Sequence, residues 1–179
     1  RGTVLADKVA VVVSGHTTYR FYQNVASPND FLSSVYGGSS LPLSIITTEG
    51  FYNSPFGGTT ACAINPALLA FFPDLSGDSW VTIGIETAAE GDETCVEVIE
   101  SSVQPYIACF AEGNPLDGSN VFINDEEGGA WYVLNGMPNG LPDENGRVLL
   151  MQLTIPSESI CSVVLNTQVF PNGSAVNQI

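Results

Sequence analysis

Alternation of apolar and polar residues with a period of two is the main pattern along this chain, and clusters of Gly, Pro, Asn and Asp separate the alternating segments. The clearest segments are 80–85, 147–155 and 161–169. Their alternate apolar positions are Val81, Ile83 and Ile85, then Leu149, Met151, Leu153 and Ile155, then Val163, Leu165 and Val169. Because successive side chains of a strand point to opposite faces, these residues are predicted to face a core.

Weaker strand patterns fill most of the remaining chain, at 4–13, 17–22, 43–48, 96–100, 106–110, 120–123 and 130–134. One short helix is predicted at 67–72, because Asn65 can cap it, Pro66 suits its first position and Pro73 ends it. The turn clusters between the segments are spaced as in a sandwich or jelly roll. The pattern therefore predicts an all-β, jelly-roll-like β-sandwich of about ten strands with one short helix, as a single domain over 1–179.

The N-terminal segment is unusual because residues 8–13, apart from Lys8 at their start, are apolar on both faces of the predicted strand. One interpretation is a central strand of its own sheet, since strands buried on both faces read as continuous apolar runs. The other is a donor strand within residues 1–13, which would complete the sheet of the next subunit. Such a contact is heterologous and propagates into filaments. Its interface residues would be Val4, Val9, Val11 and Val13.

The charge balance excludes one class of function. The chain has 19 acidic residues, 4 Lys and Arg residues and a net charge of -15. It should therefore repel phosphate backbones and anionic membrane surfaces, so no nucleic-acid partner is expected. No apolar run approaches the ~18 residues that span a bilayer, so no membrane span is expected. The absence of an initiator Met and of an export signal at the start suits a mature, exported chain.

Four cysteines, Cys62, Cys95, Cys109 and Cys161, are far apart in the sequence and lack the close pairs of zinc sites. Two disulfides are expected, with three pairings open, which indicates an oxidising compartment. The alternative is four buried thiols, because free Cys is a good core residue. Low Lys content and the glycosylation sequon at Asn172 also favour secretion to the cell surface or beyond.

Catalytic motifs are not found in the sequence. The single histidine, His16, lies between two predicted strands, where a turn residue is expected. No nucleophile elbow, zinc-binding helix or phosphate-binding loop occurs. A glycosidase needs only two carboxylates, yet no pair is marked out among the many. The chain is therefore expected not to be an enzyme.

Acidic turns provide a hypothesis for Ca²⁺ binding, because hard cations prefer clustered oxygen ligands on loops. The candidate ligands are Asp125, Glu126 and Asp143. The alternative is that Asp, Asn and Gly occupy these turns for backbone reasons. A glycan could in addition stack on aromatic faces at Trp80, Trp131, Tyr132 or Tyr19. Together these features give the alternative function, a secreted carbohydrate-binding or adhesive module, with Ca²⁺ as a candidate cofactor and with calcium dependence left open.

A resemblance to a family rests on the segments 17–22, 28–37, 51–57, 64–66, 78–84 and 169–173, which include Pro28-Asn29-Asp30-Phe31, Phe51-Tyr52-Asn53-Ser54-Pro55 and Phe170-Pro171-Asn172-Gly173. They resemble a family of uncharacterised secreted β-rich domains of aquatic microbes, over most of the chain. The resemblance implies export, a surface role and no catalytic residues. Some members resemble protomers of extracellular fibrils in which a β-sandwich passes a terminal strand to its neighbour. The function expected first is therefore a structural subunit of an extracellular filament or surface layer whose partners are copies of itself.

Overall fold

The computed structural model describes residues 4–10 and 12–177, and within them it contains eleven strands and short 3-10 turns but no α-helix. The strands are β1 (Val4–Val9), β2 (His16–Asn24), β3 (Phe31–Gly37), β4 (Leu43–Thr47), β5 (Trp80–Val81), β6 (Glu97–Ile99), β7 (Val121–Ile123), β8 (Gly129–Tyr132), β9 (Arg147–Pro156), β10 (Cys161–Val164) and β11 (Asn166–Phe170). The 3-10 turns are Ala61–Ala63, Pro66–Leu68, Pro73–Gly77, Tyr106–Phe110, Pro138–Gly140, Pro171–Gly173 and Ala175–Asn177. The predicted all-β sandwich is confirmed.

The strands form two layers. The first is an antiparallel sheet with the order β1-β2-β9-β5. The second consists of two antiparallel sheets, β10-β4-β7 and β11-β3-β8-β6. These two sheets adjoin, because β10 leads into β11, and β10 pairs with β4 while β11 pairs with β3. The second layer therefore consists of two sheets that meet at Leu165.

The main core lies between the layers and combines residues from both. Phe21, Leu150 and Leu153 belong to the first layer, and Val35 and Trp131 to the second. A smaller cluster lies on the other face of the first layer, where Trp80 and Leu149 pack against the turns within 61–77. Since both faces of β9 are covered, its side chains from position 148 to 155 are all buried.

The three clearest strand predictions met different outcomes. Segment 147–155 is confirmed as β9. Segment 161–169 is divided at Leu165, because β10 pairs with β4 while β11 pairs with β3 in the adjoining sheet. In segment 80–85 only Trp80–Val81 joins the ladder. Beyond Val81 the regular pairing ends, although the Thr82 and Gly84 N–H groups still donate to carbonyls of β9. Gly84 adopts a φ of 76°, and a Cβ atom there would lie 1.8 Å from the Asn139 carbonyl oxygen.

One further prediction was wrong, and one strand was not predicted. Segment 106–110 forms a 3-10 turn after Pro105, and it buries Tyr106, Cys109 and Phe110, a helical rather than an alternating spacing. Conversely, no strand was predicted at β3, because two serines interrupt its apolar pattern. The structure buries them, and the Ser33 hydroxyl donates to the Val133 carbonyl at 3.3 Å.

The predicted helix at 67–72 is only the 3-10 turn Pro66–Leu68. Its predicted cap is present, since the Asn65 side chain accepts a hydrogen bond from the Ala67 N–H at 3.0 Å. Leu68 packs against the smaller cluster. The segment therefore covers the outer face of the first layer.

The N-terminal segment forms the edge of the first layer. β1 pairs with β2 alone, in the register from Val4 opposite Gln23 to Val9 opposite Thr18. Side chains 5–8 are exposed. The central-strand interpretation is therefore wrong, because nothing among the described residues pairs with the outer side of β1. The strand is also shorter than the predicted segment 4–13.

The structure contains a disulfide between Cys62 and Cys95, with a Cα–Cα distance of 5.7 Å. By the loop-entropy relation, a bridge across 33 residues contributes about 3 to 4 kcal/mol. The second expected disulfide is absent, since Cys109 and Cys161 are free thiols. Cys109 lies under the start of β7, with its sulfur 3.9 Å from the Asn120 carbonyl. Cys161 belongs to β10, and β4 separates that strand from β7.

Candidate functional site

An apolar groove of about 370 Å³ opens between β1 and β10, the neighbouring edge strands of the two layers. Its walls are Val4, Ala6, Tyr19, Phe21, Ile155, Ser159, Cys161 and Val163. Most of these side chains are apolar, and they come from β1, β2, β9 and β10. The groove is therefore an opening of the main core at one side of the sandwich.

The two layers meet near one end of this side, beside β11, where the Thr167 hydroxyl donates to the Gln23 side-chain oxygen at 3.4 Å. Beside β10, β1 contributes Val4 and Ala6 to the groove, and Ala6 lies opposite Phe21 in the register. The small Ala6 side chain fills little of the space next to Phe21, which helps to leave the groove open.

Few contacts hold β1 in place beyond its pairing with β2. The Asp7 carboxylate forms an ion pair with the Arg147 guanidinium, with 2.5 Å between Oδ2 and Nη1. Arg147 also lies over the Tyr22 ring, 4.2 Å from its centroid, and reaches Asp143 at 3.5 Å. The Asp7 side chain is 50% exposed. An ion pair so open to solvent contributes at most about 1 kcal/mol.

The turn that connects β1 to β2 is anchored at one residue. Val13 is buried and packs against Gly77, where a Cβ atom would lie 2.5 Å from a Val13 methyl carbon. The His16 N–H donates to the Val13 carbonyl at 3.1 Å, and the His16 ring is 2.9 Å from the Ser14 carbonyl. These bonds close the turn against His16, which is the first residue of β2 and pairs with Pro156, whereas a turn residue was expected there.

The predicted interface residues lie in different environments. Val4 lines the groove. Val9 is half-buried opposite Thr18 at the end of β1, and Val13 is buried in the turn. Val11 lies outside the described residues. The structure therefore brings Val4 alone of the described three to the groove.

The opposite wall of the groove belongs to β10. Its Cys161 and Val163 side chains line the groove, whereas Ser162 and Val164 are exposed on the outer face. Burial raises the pKa of the Cys161 thiol, so this sulfur is poorly suited to act as a nucleophile. The wall thus provides packing surface and a strand edge.

The candidate Ca²⁺ ligands are engaged in their own turns. Asp125 accepts from the Ser101 hydroxyl and from the Gly128 N–H, and the Ser101 bond lowers the Asp125 pKa. Asp143 accepts from the Arg147 N–H at 2.9 Å, and Glu126 is exposed. Across residues 4–10 and 12–177, no three His, Cys, Asp or Glu side chains are grouped for a metal. These bonds favour the backbone interpretation, and calcium binding stays a prediction.

Two of the aromatic residues proposed for glycan stacking are buried and cannot contact a glycan. Trp80 and Trp131 are both buried, and the Trp131 indole N–H donates to the Thr82 carbonyl at 3.1 Å. Tyr132 is half-buried, and Tyr19 lines the groove. Neither indole can present a face to a glycan, because both fill the cores, and glycan stacking on Tyr132 or Tyr19 stays a prediction.

The sequon residue Asn172 is exposed, in a left-handed conformation with φ 51°. Its N–H donates to the Asp30 carboxylate at 3.0 Å. A glycan on this side chain would point away from the sandwich, and glycosylation stays a prediction.

The groove itself was missed from the sequence. Phe21, Ile155 and Val163 are inward positions of strands, and nothing in their spacing separates them from other core residues. The ion pair between Asp7 and Arg147 joins residues 140 positions apart. Neither feature has a local sequence signal, because both depend on which strands become edges.

Comparison with protein-family models, curated proteins and solved structures found no match for this chain. None of the helical turns in the described part of the chain is long and apolar enough to cross a membrane. The site is therefore interpreted from its own geometry.

Proposed function

We propose that this chain is a structural subunit of an extracellular filament or surface layer, and that its copies assemble by exchange of β1. The observation that carries the proposal is that β1 is an edge strand, bound to one neighbour and bordering an apolar groove. A β1 from a second copy would make the same pairs with β2. Exchange therefore replaces each contact that β1 loses with an identical contact in the second copy. The free-energy cost of exchange is low for this reason.

Exchange of β1 can continue from one copy to the next, so the assembly can grow without limit. The donated strand and the site that accepts it, on β2 and beside β10, are different surfaces of the subunit. Each copy can give β1 to one neighbour and accept β1 from another, so the contact is heterologous and forms a chain when the rotation does not close.

Three features support an extracellular location. The disulfide between Cys62 and Cys95 suits an oxidising compartment. The sequon at Asn172 is exposed. The resemblance to secreted β-rich domains implies export and a surface role. The net charge of -15 would keep neighbouring filaments from bundling.

The first test is a pair of cysteines at positions 8 and 19, which lie opposite each other on β1 and β2. The variant carries Lys8→Cys and Tyr19→Cys, with Cys161→Ser to remove the thiol that shares the groove. Oxidation of assembled material should link successive chains and give a ladder on a non-reducing gel. Lys8→Cys with Cys161→Ser, which lacks the opposing thiol, is the control and should give no ladder beyond dimer.

Electron microscopy supplies the complementary test. Uniform fibres that disappear when residues 1–13 are removed would agree with exchange. Bridges confined within single chains in the assembled material, or monomers at every concentration tried, would contradict it.

A further inference from the structure

The sheet β10-β4-β7 has an outer face that is exposed and apolar. The outward residues are Ser162 and Val164 on β10, Ser44 and Ile46 on β4, and Phe122 on β7. The exposed fractions of Ile46, Phe122 and Val164 are 38%, 42% and 50%. The registers place Val164, Ser44 and Phe122 in one row across the sheet, with Ile46 beside Ser162 in the next. We call these five residues the outer face.

No charged residue occurs in β4, β7 or β10, although the chain has a net charge of -15. Charges come only beyond the strand ends, with Glu49 and Glu158 at one end and Asp125 at the other. At this sheet two copies can meet with little like-charge repulsion.

The free edge of this sheet also lacks the features that prevent strands from pairing. Such features include charged residues, bulges and very short strands. β1 carries Asp7 and Lys8, β6 carries Glu97, and β11 has a register shift at Val169. β5 is only two residues long. β10 has none of these, and no strand among the described residues pairs with its outer side.

The opposite edge of the same sheet is protected. β7 is followed by Asn124, whose N–H and side-chain oxygen both bond the Gln104 side chain, at 2.9 and 2.6 Å. The Ser101 hydroxyl in the same loop donates to Asp125. The loop 101–104 therefore covers the side of β7, and β10 is the edge left open.

We propose that β10 pairs antiparallel with β10 of a second copy around a two-fold axis, so that two β10-β4-β7 sheets become one six-stranded sheet. A second copy fits because an antiparallel edge is complementary to itself, and the contact closes as a dimer. With the axis near Ser162 and Val163, the two Glu158 residues lie at opposite ends of the contact. The second copy would also cover the apolar groove, which opens beside the same edge.

This contact is separate from exchange of β1. It joins copies side by side, whereas exchange would join them in a line, so the dimer should form even when β1 is held in its own chain. The experiment therefore uses the full chain with Lys8→Cys and Tyr19→Cys oxidised within the monomer. In that background, a failure to dimerise counts against β10 pairing alone.

The test substitutes lysine at Val164 on the outer face and, as a matched control, at Val103, which is 72% exposed in the loop after β6. The oxidised parent lacks Lys8 and therefore has a net charge of -16, and each substitution adds one positive charge and changes it to -15. Both should slightly favour association if only overall repulsion mattered. Sedimentation velocity should show a dimer for the parent and for Val103→Lys, and at least a tenfold weaker dimer for Val164→Lys.

Circular dichroism would check that Val164→Lys is folded, and Ser162→Lys, also on the exposed side of β10, gives a second test if it is not. The proposal is overturned if the oxidised Lys8→Cys, Tyr19→Cys parent is monomeric at all concentrations. It is also overturned if the folded lysine variants of β10 dimerise with the same affinity as the Val103→Lys control.

Discussion

At the scale of single residues, Asp78 is the most consequential carboxylate, because it is fully buried. Its two oxygens accept from the Ser54 N–H at 2.6 Å and the Gly58 N–H at 3.0 Å. Gly57 is required beside it, since a Cβ atom there would lie 1.9 Å from the carboxylate. Asp78 thus ties the loop 54–58 to the start of β5.

Burial raises the pKa of Asp78 to about 7, even though the backbone N–H groups act in the opposite direction. The folded chain therefore binds a proton at this carboxyl between pH about 4 and about 7, where the unfolded chain has released it. We expect the free energy of unfolding to fall as pH rises through this range. Urea unfolding at a series of pH values measures the effect, which is bounded by about 1.4 kcal/mol for each unit of pKa difference.

The neutral variant Asp78→Asn is the comparison that isolates this carboxyl from the other acidic groups. It cannot ionise, so its stability should fall less than that of the parent between acidic and neutral pH. At acidic pH its free energy of unfolding should also be lower than that of the parent by about 1 to 3 kcal/mol, because the amide NH₂ faces one of the two backbone N–H donors and cannot accept from it. Identical pH slopes for the two proteins would show that Asp78 is not the group responsible.

At the scale of elements, the attachment of β1 leads to a second prediction. Asp7→Asn removes the ion pair with Arg147 but leaves the register with β2 unchanged. Amides of β1 should then exchange with solvent up to about fivefold faster, since an exposed ion pair contributes at most about 1 kcal/mol to local opening. Hydrogen exchange followed by mass spectrometry should show no change in β9. Glu144→Gln is the matched control, because this exposed side chain loses the same charge, and faster β1 exchange there would contradict the role of the ion pair.

Alternation in the sequence predicted the elements whose environment is uniform along their length. β9 is covered on both sides and matches its predicted segment. The alternation failed where the environment changes inside a segment. Leu165 stands where the chain passes from one sheet to the next, and Gly84 stands where Asn139 approaches the backbone. The groove could not be predicted at all, since its walls are defined by the edges of two layers and not by any local pattern.

At the scale of the whole molecule, the net charge of -15 opposes every contact between copies, whereas the strand edges favour it. Salt shifts this balance because it shortens the range of repulsion, from about 30 Å at 0.01 M to about 10 Å at 0.1 M. Salt also weakens the exposed ion pair that holds β1 to Arg147. Both effects of added salt therefore favour assembly.

We therefore expect fibre formation to be faster at 0.1 M than at 0.01 M NaCl, by about tenfold or more, as followed by light scattering. Asp7→Asn separates the two effects, because it lacks the ion pair and keeps nearly all of the negative charge. It should assemble faster than the parent at low salt and gain less when salt is added. Assembly that slows with salt, or an Asp7→Asn chain that behaves as the parent does at both concentrations, would mean that neither repulsion between copies nor the release of β1 limits the growth of the fibre.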